Sequence, residues 1–133
     1  MHVAELMRTD VVTIRDDASI ADAVVALSDE HISGLPVLNA SQRLVGVLSA
    51  SDVLSALAEN PGAEERGGLF ESATVADLMT SRPATITPEV GVKEAAQQML
   101  YLGVHRLFVE EGGELVGVIT TSDIVRAVGV GAV

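Results

Sequence analysis

Two strings in this chain end alike: Gly46-Val47-Leu48-Ser49-Ala50-Ser51-Asp52 and Gly117-Val118-Ile119-Thr120-Thr121-Ser122-Asp123. In each, an apolar run delivers a hydroxyl (Ser49, Thr120). An aspartate (Asp52, Asp123) follows three residues on, where the first turn of a helix is expected. A carboxylate in that place can accept hydrogen bonds from a vicinal diol such as a ribose carries, while hydroxyls and the free amides of a helix start suit phosphate oxygens. The same residue types are also ordinary helix N-caps, and a duplication would copy a cap as faithfully as a binding site. No catalytic arrangement emerges: the serines lack a histidine base, and the two aspartates hold equivalent positions rather than opposed acid and base roles.

The strings are the ends of a long internal repeat. Residues 3 to 57 lie over 75 to 128 with one residue dropped in the second copy, and sixteen positions keep their amino acid. Val3-Ala4-x-Leu6-Met7 returns as Val75-Ala76-x-Leu78-Met79, Thr13-Ile14 as Thr85-Ile86, and Leu44-Val45-Gly46-Val47 as Leu115-Val116-Gly117-Val118. A unit of this size rarely buries enough apolar surface alone, so the copies are expected to pack together.

Each copy opens with a short amphipathic piece and an extended stretch, Val11 to Ile14 or Ala84 to Ile86, the latter bracketed by Pro83 and Pro88. A helix follows. In the first copy it starts at Ser19, carries Ile20, Ala23, Val24 and Leu27 at helical spacing, and is expected to end near Gly34; its counterpart ends near Gly103. Val25 and Ala26 widen the apolar stripe of the first helix, which is consistent either with burial by its own domain or with a subunit interface. Strands are expected over Leu35 to Leu38 and Arg106 to Val109, then, after polar turns, over Leu44 to Leu48 and Leu115 to Ile119; a final helix starts near Ser51 or Ser122. The expected architecture is α/β (α+β), two β-α-β-β-α units at 1–58 and 73–133, joined by an exposed linker at 59–72 that is rich in glycine, proline and charge.

Composition limits the partners. The chain has 133 residues, 48% of them hydrophobic but only 2% aromatic, with a mean hydropathy of +0.40, so an aliphatic core is expected. A formal net charge of -11 argues against broad contact with nucleic acid or anionic lipid, and an anionic ligand would need local cations. Cysteine is absent and no His/Asp/Glu cluster has metal-ligand spacing, so no metal site is expected, and His2 and His31 read as surface or packing residues. The N-terminus lacks a basic stretch followed by an apolar one, and no apolar run approaches the roughly 20 residues that span a bilayer. A soluble cytoplasmic protein without membrane contact is the simplest expectation.

On the Val-Ala-Glu-Leu-Met and Val-Ala-Asp-Leu-Met openings, Ile32-Ser33-Gly34-Leu35-Pro36-Val37, Val104-His105-Arg106-Leu107-Phe108-Val109 and the two hydroxyl-x-x-Asp ends, the chain resembles the tandem cystathionine β-synthase (CBS) domain pair, or Bateman module. The resemblance spans both repeats. It implies two units packed sheet to sheet with pseudo-twofold symmetry, a cleft between the sheets that holds adenosyl ligands, and a homodimer of disk-like form. It implies that Asp52 and Asp123 hold ribose hydroxyls, with Ser49 and Thr120, and their neighbours Ser51 and Ser122, beside ribose or phosphate. Thr13-Ile14 and Thr85-Ile86 would flank the adenine, and His105-Arg106 stands where phosphate-binding members place a basic pair. Ser33-Gly34 occupies the corresponding place in the first copy, so the site containing Thr120, Asp123 and Arg106 is expected to favour a phosphorylated ligand.

The function expected is therefore a free-standing regulatory module that needs no cofactor. It would bind an adenine nucleotide or other adenosyl compound and signal by a conformational shift to a separate, unknown protein partner. A ligand-free dimerisation scaffold is the rival, and a nucleotide-processing enzyme the weaker third reading.

Overall fold

A computed structural model describes residues 1–29, 32, 34–59 and 62–131; His31, Ser33 and the linker residues Asn60 and Pro61 lie outside the described residues. In chain order the elements are α1 (Val3–Leu6), β1 (Ile14–Arg15), α2 (Ile20–Asp29), β2 (Gly34–Leu38), β3 (Leu44–Ser49), α3 (Ala50–Glu59), α4 (Ala63–Ser72), α5 (Val75–Leu78), β4 (Thr80–Ser81), β5 (Thr85–Ile86), α6 (Val92–Leu102), β6 (Arg106–Glu111), β7 (Glu114–Thr120) and α7 (Thr121–Gly129). They form two compact units that do not follow the repeat boundaries expected at 1–58 and 73–133. A central unit comprises Val12–Pro83, and a terminal unit joins Met1–Val11 to Ala84–Val133.

Each repeat therefore lends its opening segment to the other repeat. In the central unit the sheet runs β1-β2-β3-β4, with β1 and β2 parallel and the remaining pairs antiparallel; β4, from the second repeat, pairs Thr80 with Val47 and Ser81 with Gly46. In the terminal unit β5-β6-β7 form the sheet, and Arg8, from the first repeat, bridges Val118 through reciprocal amide-to-carbonyl bonds of 2.9 and 3.0 Å. The short openings are stabilised locally: His2 and Glu5 cap α1, and Thr74 and Asp77 cap α5, each as a capping box. Val3 and Val75, both fully buried, anchor them.

Glycine makes this docking possible. A Cβ on Gly117 would lie 2.7 Å from Met7 Sδ and 2.9 Å from the Arg8 carbonyl oxygen; on Gly46 it would lie 2.6 Å from Met79 Sδ and 2.8 Å from the Thr80 carbonyl oxygen. The Leu-Met of each opening and the strand glycine are thus a matched pair, crosswise between repeats.

Strand alternation does the rest. Leu35, Val37 and Leu48 with Ile20, Ala23 and Leu27 of α2 form the central core; Leu107, Val109 and Ile119 with Ala95 and Met99 of α6 form the terminal one. Both hairpins carry a bulge at the same place, Val37/Leu38 and Val109/Glu110. They differ at the tip: Gly112 and Gly113, with φ of 61° and 83°, make a tight turn, whereas Asn39 Oδ1 organises the longer loop by accepting from the Ser41 and Arg43 amides.

Two sequence expectations are corrected. The 59–72 segment is largely the helix α4, with Gly67 and Gly68 inside it; Phe70 and Ala73 pack on the central core, and this tertiary packing overrides the low helix propensity of the glycines. Secondly, Gly34 does not terminate α2, whose described residues are Ile20–Asp29; Gly34 is the first residue of β2, while Gly103, at φ 67°, is the left-handed cap of α6.

The crossed docking makes a directional prediction. Gly117→Ala should destabilise the protein by about 1–3 kcal/mol through overpacking against Met7 and the Arg8 carbonyl, and hydrogen exchange should speed up in residues 1–11. Gly46→Ala should instead loosen residues 74–81. Loosening of the opening from the same repeat as the mutated strand would contradict the exchange.

Candidate functional site

Each hydroxyl-x-x-Asp string lies where a strand runs into a helix, β3 into α3 and β7 into α7. Both make the reciprocal cap that the residue types allow. The Ser49 amide donates to Asp52 Oδ2 at 2.9 Å and the Asp52 amide to Ser49 Oγ at 3.1 Å; the Thr120 amide donates to Asp123 Oδ2 at 2.9 Å and the Asp123 amide to Thr120 Oγ1 at 3.2 Å. The cap thus uses one carboxylate oxygen, Oδ2, in each copy. The other oxygen, Oδ1, is turned to the incoming opening segment.

There the copies part. Asp52 Oδ1 faces the Thr80 hydroxyl, which donates at 3.4 Å. Asp123 Oδ1 accepts from Arg8 Nε at 3.2 Å and from Arg126 Nη1 at 3.4 Å. Asp123 is only 4% exposed and is the buried charged side chain among the described residues, whereas both arginines keep most of their surface in solvent. Burial alone would raise its carboxyl pKa. Against that act the Thr120 amide and side chain and the Arg8 guanidinium, and the balance holds Asp123 below its ordinary value of 3.8. It is an anion at neutral pH, held by a local excess of positive charge in a chain of net charge -11. Leu6, Asp123, Arg126, Ala127 and Val130 line a cleft of about 240 Å³ in the terminal unit.

The sequence-selected residues fall into distinct surroundings. Arg106 opens β6 directly opposite Thr120 of β7, and its counterpart Gly34 lies opposite Ser49, so the difference between the copies is set into equivalent registers. Facing residues on paired strands have neighbouring side chains, which puts Arg106 on the side of Thr120. His105 is exposed and lines a groove of about 320 Å³ with Ala96, Met99, Leu100, Thr121 and Ile124, residues of α6 and α7. Its backbone carbonyl does accept from the Thr121 amide. Ile14 packs on the central core and Ile86, 6% exposed, belongs to the terminal one, so these side chains serve packing; Thr13 and Thr85 beside them are exposed. Ser51 and Ser122 are exposed in the first turns of α3 and α7.

Arg8, Thr80 and Arg126 were not singled out from sequence. Arg126 is legible as the i+3 neighbour of Asp123 on a helix. Arg8 and Thr80 occupy matching places in the repeat, directly after Leu-Met, but only the crossed docking reveals that Arg8 meets Asp123 and Thr80 meets Asp52. Among the described residues no group of three or more His, Asp or Glu side chains converges as a metal site would need, and no helix is long and apolar enough to cross a membrane.

Known proteins share this pattern. The CBS domain matches twice, at residues 3–59 and 75–130. An uncharacterized protein of Methanocaldococcus jannaschii, MJ1225, is 28% identical over 127 residues, covering 96% of this chain and 42% of its own length. The chain spans less than half the length of the first curated relatives it matches. Among solved structures, the CBS-pair protein CBSX2 of Arabidopsis thaliana, crystallised in complex with AMP, superposes with a TM-score of 0.81 at 28% identity, covering 96% of this chain and 95% of that one. The CBS domain pair of protein MJ0100, in complex with 5-methylthioadenosine and S-adenosyl-L-methionine, gives 0.80 at 25% identity over 97% of this chain and all of that one.

The lowered pKa of Asp123 makes a pH prediction. The folded state binds this proton more weakly than the unfolded chain, so the stability it contributes is present in full above the unfolded value of 3.8 and is lost as pH falls through the lower folded value. In urea titrations from pH 7 to pH 2.5, Asp123→Asn should be less stable than the wild type at neutral pH, and the difference should shrink only below about pH 4. A difference that stays constant across the range would contradict the assignment.

Proposed function

The chain belongs to the CBS domain family, and from that premise we propose that it is a regulatory module whose two hydroxyl-x-x-Asp sites bind adenosyl ligands and which passes its ligand state to a protein partner. The observation that carries the reading is the division of labour on each aspartate. Oδ2 is bound in the helix cap, so the carboxylate is fixed in place, and Oδ1 points away from the cap, where it meets a side chain able to exchange for a ribose hydroxyl. A residue serving only as a cap has no use for a buried, ionised second oxygen flanked by arginines. The AMP complex of CBSX2 and the methylthioadenosine and S-adenosylmethionine complex of the MJ0100 pair support adenosyl compounds as the ligand class.

In this reading Ser49, Ser51, Asp52 and Thr13 serve one ligand position, and Thr85, Arg106, Thr120, Ser122 and Asp123 the other. Ile14 and Ile86 contribute backbone rather than side chain. The role is regulatory rather than catalytic: two carboxylates in corresponding positions, each tied into its own helix cap, offer no opposed acid and base pair. Signalling would be a population shift, limited by the difference in ligand affinity between two conformations of the module.

A homodimer is part of the proposal. Leu100 and Tyr101 on α6 are 84% and 90% exposed, and Val125 and Val128 on α7 are also exposed, as is Val25 of the wide stripe on α2. Exposed apolar side chains of this kind on α6 and α7 support an interaction surface in the terminal unit.

Isothermal calorimetry with AMP, ATP, S-adenosylmethionine and NAD tests the ligand class. Binding of at least one is expected, and Asp123→Ala should weaken it by about 1.5–3 kcal/mol, the range for a hydrogen bond to a charged group. No heat with any of them would favour a ligand-free scaffold. Light scattering tests the dimer: the wild type should have twice the chain mass and Tyr101→Asp with Val125→Asp should move it to the monomer, whereas a monomeric wild type would remove this part of the proposal.

A further inference from the structure

The aspartate of the terminal unit is not open to a ribose as it stands. A carboxylate oxygen offers about two acceptor positions, and Asp123 Oδ1 already accepts from Arg8 and Arg126. A diol can reach it only by exchange. A guanidinium that leaves a buried carboxylate loses a charge-assisted hydrogen bond and must find another anion or accept the loss.

We propose that Arg8 is an exchangeable counter-ion that makes the Asp123 site selective for 5′-phosphorylated adenosine over uncharged adenosine. This rests on the adenosyl-ligand reading and deepens it. Arg8 rather than Arg126 is the mobile partner for two reasons. Arg126 stands on the same helix as Asp123, three residues on, so the pair is local and persists whatever docks beside it. Arg8 arrives from a different segment, its backbone pinned to Val118, with its side chain 58% exposed and free to swing without moving the chain. A ligand bearing both a diol and a phosphate satisfies both halves of the broken pair: the ribose takes the place of Arg8 on Oδ1, and the phosphate receives the guanidinium beside Arg106, which opens β6 opposite Thr120. Adenosine supplies only the diol and leaves Arg8 without its anion. At the corresponding place the central unit has Thr80, a neutral hydroxyl at 3.4 Å from Asp52 Oδ1. Displacing it breaks a weak neutral contact and returns nothing to a phosphate, so this discrimination belongs to the Asp123 site alone.

Site-resolved NMR titration tests this. The amide signals of Ser122 and Asp123 report on one site and those of Ser51 and Asp52 on the other, with AMP and adenosine as probes. In the wild type the Asp123 site should prefer AMP to adenosine by about tenfold or more, the ratio expected for one charge-assisted bond. Arg8→Thr, which installs the residue the other repeat carries, should weaken AMP there and leave adenosine equal or tighter, so that the preference collapses; Arg8→Gln, which keeps a hydrogen-bonding side chain without the charge, should do the same. The Asp52 site should not change. If both variants weaken AMP and adenosine equally, Arg8 merely supports the fold and the proposal fails while the adenosyl reading stands; the proposal also fails if the AMP preference survives in the variants. If neither probe moves the wild-type signals, the reading beneath it fails as well.

Discussion

The fold depends on a methionine and a carbonyl meeting a strand that has no side chain in the way. Met7 and the Arg8 carbonyl lie where a Cβ on Gly117 would stand, and Met79 and the Thr80 carbonyl do the same at Gly46. This close approach lets the opening of one repeat add a backbone pairing to the last strand of the other. Neither repeat is complete alone: the buried Val3 belongs to the core of the terminal unit and the buried Val75 to that of the central one. Exchange thus solves the problem of a unit too small to bury its own apolar surface.

The same contact sets the chemistry. Because the residue after Leu-Met is brought to the edge of the β7 or β3 strand, it reaches the outer oxygen of the capping aspartate at that strand's end. The first repeat presents Arg8 there and the second Thr80. A one-residue difference in an opening segment becomes the difference between a buried ionised carboxylate inside a cluster of arginines and a half-buried one beside a hydroxyl. The cap holds each carboxylate still, and the docked segment decides what it meets.

Much of this was legible in the sequence, for physical reasons. The duplicated string showed where a strand hands over to a helix, and the apolar alternation found both hairpins and the two long helices that cover them, because period and capping are local properties. The asymmetry at Arg106 and Gly34 was also visible, and the matching registers place it beside the hydroxyls. What escaped was non-local. Nothing in residues 1–11 says that they belong with 84–133, so Arg8 would have been set beside the wrong aspartate. Gly67 and Gly68 read as breakers because their propensity is local, while the packing of Phe70 that holds α4 together is not.

The central claim is that the outer oxygen of Asp123 is the ribose contact of an adenosyl ligand. A crystal structure of the protein grown with AMP tests it most directly. Ribose hydroxyls are expected on the Asp123 carboxylate, with its cap to Thr120 intact and Arg8 moved from Oδ1 to the phosphate. AMP bound elsewhere, with the Arg8–Asp123 bond still in place, would contradict it.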